Sequence, residues 1–218
     1  MSFARVAAVG LVLGSLVAAP AAQAQKDKDK AEGLLLGAWV GVNFATFGGA
    51  SATNVTTRTG VAFGGQAQFP LVQSVFLRLG LIYSMRGAGS NGTPGGTTAL
   101  NYLEIPAEVG YQFPLKGSSI QPYVMVGAQL GIKSSCNITT GGTTTECNSY
   151  LGYSVAGGDI GARFGGGAAF PVGRAHLMVD LLYYAGFTNL IANAGAGAVL
   201  KNQGFTIGVG YMAPLGRH

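Results

Sequence analysis

Two acidic residues, Glu104 and Glu108, have a spacing that invites comparison with carboxylate catalysis. Glycoside hydrolases use a pair of carboxylates held roughly 5–9.5 Å apart. Alternate residues of the surrounding segment Leu100–Leu115 are apolar, which predicts a β-strand. Four residues along a strand cover about 13 Å. The pair is therefore too far apart for either glycosidase mechanism, and salt bridges are the better interpretation.

Histidine chemistry is equally poorly supported. The two histidines are His176, in a predicted short turn, and His218, the last residue. A hydrolase or acyltransferase acting on lipid would need a histidine beside a serine or an acid. Gly165–Gly167 is not followed by the Gly-Lys-Ser/Thr of a phosphate-binding loop. We therefore expect no catalytic residue, no enzyme activity and no cofactor.

The two cysteines, Cys136 and Cys147, lie in one predicted loop. In an exported protein the surroundings are oxidising, which favours a disulfide. No histidine lies near them in the sequence, so a metal site is not expected. The predicted disulfide would hold an external loop.

Export is predicted by residues 1–24, which have the features of a signal peptide. Arg5 precedes an apolar run, Val6–Val17, and Ala22-Gln23-Ala24 forms a small-x-small cleavage site. The run is shorter than the roughly 20 apolar residues of a membrane helix. Residues 25–34 follow as a charged periplasmic leader. The net charge of +5 is scattered, so nucleic acid is not an expected partner.

The composition of the chain points to a membrane-spanning sheet. Charged residues make up 10% of the sequence, against about 25% in soluble proteins. Yet no run after the signal peptide approaches the length of a membrane helix. A chain that is apolar on average but never continuously apolar is typical of a transmembrane β-barrel, in which every second residue faces lipid.

The remaining chain, residues 35–218, divides into strand patterns that predict one eight-stranded antiparallel up-and-down transmembrane β-barrel. Three Phe-Pro steps (Phe69, Phe113 and Phe170) close even-numbered strands, which places short turns in the periplasm and the longer loops outside. The predicted strands are Leu35–Phe47, Arg58–Phe69, Val75–Arg86, Leu100–Leu115, Ile120–Lys133, Gly158–Phe170, Leu177–Phe187 and Gly204–Ala213. The predicted external loops are Gly48–Thr57, Gly87–Thr98, Ser134–Gly157 and Thr188–Gln203.

Most charges within the strands share the inward face. A charge on the lipid face costs on the order of 2–4 kcal/mol, so this placement supports a barrel. We expect these side chains to line a channel or to pair across the lumen. They are Arg78, Arg86, Glu104, Glu108, Lys133, Asp159, Arg163 and Asp180.

The sequence resembles the small bacterial outer-membrane β-barrel domain proteins of the porin family. The resemblance rests on Tyr102–Pro106 with Gly110-Tyr111, and on Gly41–Phe44. It implies a Gram-negative outer membrane, with membrane lipid and the barrel-assembly machinery as partners. Such barrels often end on an aromatic residue, whereas this chain ends Leu215–His218.

Three functions remain open at this stage. Eight strands enclose an interior that side chains just fill, which favours a structural or surface-interaction role through the external loops, with the external ligand or host partner unknown. The alternative is a narrow channel for ions or small solutes. A secreted soluble barrel holding an apolar ligand would require the apolar face to point inward.

Overall fold

The computed structural model describes residues 33–92, 95–151, 154–192 and 197–215. The predicted signal peptide, residues 25–32 of the leader and His218 lie outside them. The strands are β1 Leu35–Gly48, β2 Val55–Val72, β3 Val75–Ser90, β4 Gly96–Gln112, β5 Gln121–Thr140, β6 Thr143–Glu146, β7 Gly158–Val172, β8 Ala175–Gly186 and β9 Lys201–Pro214; one short helix, α1, spans Cys147–Leu151. Among the described residues, no helix is long and apolar enough to cross a membrane.

Eight of these strands close into an antiparallel barrel. Each pairs with its neighbour in the chain, β5 pairs with β7, and β1 pairs with β9 from Leu35 opposite Pro214 to Gly48 opposite Lys201. The short β6 pairs only with the end of β5. The predicted eight-stranded up-and-down barrel is therefore confirmed.

The two faces of the barrel follow from strict alternation along each strand. Outward side chains are apolar and exposed, for example Val126 at 61%, Leu81 at 55% and Leu181 at 55%. Their inward neighbours are buried. Because the apolar face points outward, the soluble barrel with an apolar interior is ruled out.

The segment Leu103–Pro106 shows how alternation in the sequence assigns side chains to the two faces of the barrel wall. Leu103 and Ile105 are exposed on the outside, while Glu104 is buried inside. Pro106 also points inward, where a side chain on Gly80 of the adjacent strand would meet the proline ring at 3.0 Å. A proline gives no hydrogen bond to the ladder, and the β3–β4 pairing is interrupted between Leu79–Ala107 and Ile82–Glu104 without a change of register.

The connections at the two ends of the barrel differ in length less evenly than predicted. One end has the two-residue turns Gln73-Ser74 and Gly173-Arg174, in which Ser74 and Gly173 have positive φ, and the β4–β5 connection of residues 113–120. The opposite end has the connections between β1 and β2, β3 and β4, β5 and β7, and β8 and β9, of which the last two are the longest in the barrel. The end with these two longest connections is called the outer end below.

The predicted loops are too long at this outer end. Ser134–Gly157 was expected to be one loop, but β5 continues to Thr140, turns through Gly141 and Gly142 into β6, and is followed by α1. Likewise β3 reaches Ser90 and β4 begins at Gly96. Threonine is a favoured strand residue, and pairing with β4 keeps the serine and asparagine of upper β5 in the strand, so polar composition was a poor guide to where the strands end.

Candidate functional site

The predicted inward charges are on the buried faces of the strands, which face the axis of the barrel. Seven of the eight predicted lumenal charges are between 1% and 6% exposed. The eighth, Lys133, is half-buried near the outer end, where its Nζ donates to the carbonyl of Val155 at 2.6 Å. The buried seven are Arg78, Arg86, Glu104, Glu108, Asp159, Arg163 and Asp180.

Asp180 of β8 is the centre of the inner half of the lumen. Its Oδ1 lies 3.2 Å from Nη1 of Arg78, on β3. The indole Nε1 of Trp39 donates to Oδ2 at 2.7 Å, and the hydroxyl of Tyr123 donates to Oδ1. Gln68 accepts from the same arginine at 2.9 Å. Three strands besides β3 and β8 therefore contribute to one buried ion pair.

Apolar side chains pack around this pair and leave little space. The Arg78 guanidinium lies 5.2 Å from the Phe76 ring and 5.0 Å from the Tyr123 ring. The sulfur atoms of Met125 and Met178 approach it at 3.5 and 3.6 Å. Cation–π and dispersion contacts of this kind hold the guanidinium in one position.

Trp39 fits into the lumen because glycine faces it on β9. A Cβ on Gly208 would lie 2.2 Å from the indole ring, a distance that no relaxed side chain tolerates. The high glycine content of the inward face is therefore a packing requirement. Arg163 also lies 5.9 Å from this ring.

The middle of the lumen holds a second pair, Arg163 of β7 with Glu108 of β4, at 2.9 Å. Gln129 of the intervening strand β5 accepts from Nη1 of Arg163 at 3.0 Å. All three side chains are buried. Because Glu108 and Glu104 are committed to separate ion pairs, neither is arranged as half of a catalytic carboxylate pair.

The outer half of the lumen holds a third pair, Arg86 with Glu104, at 2.6 Å. The Arg86 guanidinium lies 4.0 Å from the Tyr184 ring. Asn43 donates to Ser84 at 2.9 Å and accepts from Thr206 at 2.7 Å. Polar groups on β1, β3, β4, β8 and β9 thus span the barrel at this level.

Asp159 is the exception among the buried acids. It forms no ion pair with any residue in the described ranges, and Nδ2 of Asn202 donates to its Oδ2 at 2.7 Å. The same amide donates to the hydroxyl of Tyr102 at 2.9 Å. The other oxygen of Asp159 has no hydrogen-bond partner in the described chain.

Two small cavities interrupt this packing, each with room for about one water molecule. The outer cavity is lined by residues that include Trp39, Arg86 and Glu104. The inner one is lined by residues that include Tyr123 and His176, which lies near the start of β8 and not in the predicted turn. The Arg78–Asp180 pair contacts both Trp39 and Tyr123, so it lies between the two cavities.

An apolar cluster covers the outer end of the lumen; we call it the cap. The Cys136–Cys147 disulfide joins β5 to α1 within it, and both cysteines are buried. Partly buried Leu151, Val155 and Leu200 pack against it from the connections. Its buried members are Phe47, Ala88, Leu100, Tyr102, Cys136, Ile138, Cys147 and Leu190.

Backbone hydrogen bonds between the external connections fix the cap. Ala156 donates to the carbonyl of Leu190 at 2.9 Å, and Leu190 donates to that of Leu200 at 2.8 Å. Ser51 donates to Val199 at 2.9 Å. The sequence analysis did not predict the cap. The signal that could have indicated it was the presence of leucine and valine inside segments that were assigned to loops because they are otherwise polar.

The family model described as outer membrane protein beta-barrel domain matches residues 9–212. This chain belongs to that family. The predicted resemblance is therefore confirmed, and membership indicates an outer-membrane location. A search of curated proteins found no match.

The chain is similar to solved structures of outer-membrane barrels. OprG from Pseudomonas aeruginosa is 14% identical, with a TM-score of 0.50 over 85% of this chain and 98% of that one. Neisserial surface protein A is 15% identical, with a TM-score of 0.49 over 84% and 98%. Ail, the attachment invasion locus protein of Yersinia pestis, is 13% identical, with a TM-score of 0.44 over 84% and 99%. At these identities the likeness concerns the fold alone.

Proposed function

We propose that this outer-membrane barrel has a closed lumen and acts through its external surface, without catalysis and without conducting ions or solutes. The observation that supports this most strongly is the buried Arg78–Asp180 pair at 3.2 Å. It lies between two cavities that are each only water-sized. A solute crossing the barrel would have to displace it.

The charge balance of the lumen also favours closure. Each buried arginine is within 3.2 Å of a carboxylate oxygen, in the pairs Arg78–Asp180, Arg86–Glu104 and Arg163–Glu108. A buried charge left without its partner costs about 3–5 kcal/mol. A permeating ion or solute would have to disrupt all three pairs in turn. Thermal motion alone rarely supplies that much free energy.

The cap closes the outer end by a different physical means. Leu190, Ile138 and the buried disulfide present apolar surface to the lumen. An ion passing between them would lose its hydration without gaining polar partners. The disulfide and the loop hydrogen bonds also fix the exposed side of the cap, and a preordered surface loses less entropy when it binds a partner.

Single-channel recording in a planar bilayer tests this proposal. Refolded protein whose barrel state is confirmed by a heat-modifiable gel shift is expected to be silent, because the lumen is filled. A large conducting porin in the same bilayers serves as the positive control.

The matched variants are Arg78→Ala inside the lumen and Leu81→Ala on the lipid face of the same strand. Steady conductance of the unaltered protein, with an ion preference that changes in Arg78→Ala or Glu104→Ala but not in Leu81→Ala, would establish a narrow channel and overturn the proposal.

A further inference from the structure

On β4, β5 and β6 the outward surface changes from apolar to polar toward the outer end of the barrel. On β4 and β5, Leu103 and Ile132 are exposed apolar residues. Beyond them toward the outer end, the same face carries only small or polar side chains. We call this the hydroxyl face: Thr97, Asn101, Ser135, Asn137, Thr139 and Thr144.

Strand pairing aligns the hydroxyl face into a ladder. Thr97 lies opposite Thr139, and Thr139 lies opposite Thr144. All three are exposed. The hydroxyls of Thr139 and Thr144 are 2.9 Å apart, and Asn101 donates to Ser135 at 3.0 Å. The β-branched threonine side chain has few rotamers, so these hydroxyls are held in a fixed array.

The strands that carry the ladder are packed against the cap on their inward side. The residues that alternate with it on β5, Cys136 and Ile138, are buried in the cap, and Cys136 is bonded to Cys147. This packing restricts the backbone under the face, which lowers the entropy lost when the face binds a partner.

The occupant is indicated by continuity with the lipid-facing surface. Directly along β4 and β5 from the hydroxyl face, Ile105, Leu103, Leu130 and Ile132 lie exposed where acyl chains contact the barrel. The headgroup of a lipid whose chains pack on these residues must lie beside the next section of the same strands. That section is the hydroxyl face.

The chemistry of the face distinguishes among headgroups. None of its six residues is basic, and the exposed acid Glu146 lies on the same face of β6, opposite Asn137. Binding of a phosphate favours arginine or lysine. Hydroxyl and amide groups instead match the alternating donors and acceptors of sugar hydroxyls.

We propose that the hydroxyl face binds the core sugars of an outer-leaflet glycolipid, the part of its headgroup farthest from the acyl chains, which pack on the apolar section of β4 and β5. This inference extends the external-surface role proposed above to one partner. It does not depend on the state of the lumen, so a failed binding test and a conducting lumen are separate results.

The test is a titration of fluorescently labelled lipopolysaccharide carrying its core oligosaccharide into the folded protein in detergent micelles, followed by anisotropy. Lipid A, which keeps the two sugars next to the acyl chains but lacks the core, is the matched probe. The variant Thr97→Val/Thr139→Val/Thr144→Val removes three hydroxyls while keeping shape and strand propensity. Its control, Thr98→Val/Thr145→Val, alters the opposite face of the same strands.

We expect lipopolysaccharide to bind the triple variant at least about tenfold more weakly, since three exposed hydrogen bonds are lost. Binding to the control should be unchanged, and lipid A should bind all three proteins equally. If the triple variant does not give the heat-modifiable shift, Thr139→Val alone is expected to weaken binding about threefold. Equal binding of lipopolysaccharide by the folded variants and the unaltered protein, or equal binding of lipid A and lipopolysaccharide by the unaltered protein, would overturn the proposal.

Discussion

Individual buried carboxylates in this barrel have different energetic roles although their exposure is alike. Asp180 accepts from Trp39, Tyr123 and Arg78. Asp159, at the outer end of β7, has an amide donor in Asn202 but no cation among the described residues. Removing charge from the first leaves an arginine unpaired, whereas removing charge from the second leaves no cation behind.

The substitution Asp180→Asn is therefore expected to lower the free energy of unfolding by about 3–5 kcal/mol. The matched variant Asp159→Asn is expected to change it by less than about 1 kcal/mol in either direction, because the amide still accepts from Asn202. Urea titration followed by the fluorescence of Trp39, the single tryptophan, measures both. Equal losses in the two variants would contradict this assignment of roles.

The inward placement of these residues was predictable from the sequence, but their partners were not. Alternation along one strand assigns a side chain to a face. It contains no information about which strand lies across the lumen. Arg78 and Asp180 are separated by 102 positions, and the contact between them depends on the closure of the whole barrel.

The upper part of β5, together with β6 and α1, is the element in which prediction from sequence failed most clearly. A glycine pair, Gly141 and Gly142, takes positive φ and turns the chain back into β6. The flanking threonines were read as loop because they are polar. What makes them strands is pairing with β4, from Gly96 to Asn101, and pairing partners are not visible in local composition.

Removing the disulfide tests how far this element depends on its cross-link. Cys136→Ser/Cys147→Ser is expected to keep the barrel closed, because none of the barrel strands other than β5 contributes a cysteine. The cap should lose about 2–3 kcal/mol, the amount that constraining a loop of 11 residues provides. Faster cleavage of the external connections by added protease, with an unchanged heat-modifiable shift, is the expected result.

Reduction of the unaltered protein with dithiothreitol is the matched control and should give the same cleavage pattern. A double variant that no longer shows the folded gel band would mean that the cross-link supports the barrel itself.

At the scale of the whole molecule, the outward apolar surface determines where the protein resides. The number of strands and the choice of outward face both followed from alternation and composition. The height at which the surface changes from apolar to polar did not, because it depends on how far each strand extends beyond its predicted end. On β5 the last exposed aliphatic side chain is Ile132, while the strand continues to Thr140.

An arginine placed within this band is expected to be costly, and one placed above it is not. Val126→Arg should lower the free energy of unfolding from lipid vesicles by about 2–4 kcal/mol, since the guanidinium faces acyl chains. Thr139→Arg lies on the same face of the same strand and should cost less than about 1 kcal/mol. Urea-dependent folding into vesicles measures both, and similar costs would show that the band extends past Ile132.

The pairing of β1 with β9 has a consequence for how the chain reaches this structure. These strands join residues from opposite ends of the barrel sequence, from Leu35 with Pro214 to Gly48 with Lys201. Contacts so distant in sequence form slowly, because the entropy of closing the chain must be overcome before they contribute. Until they form, β1 and β9 each present an unpaired edge that can associate with other chains. Aggregation and folding therefore compete most strongly just before closure, and the pairing of β1 with β9 ends that competition.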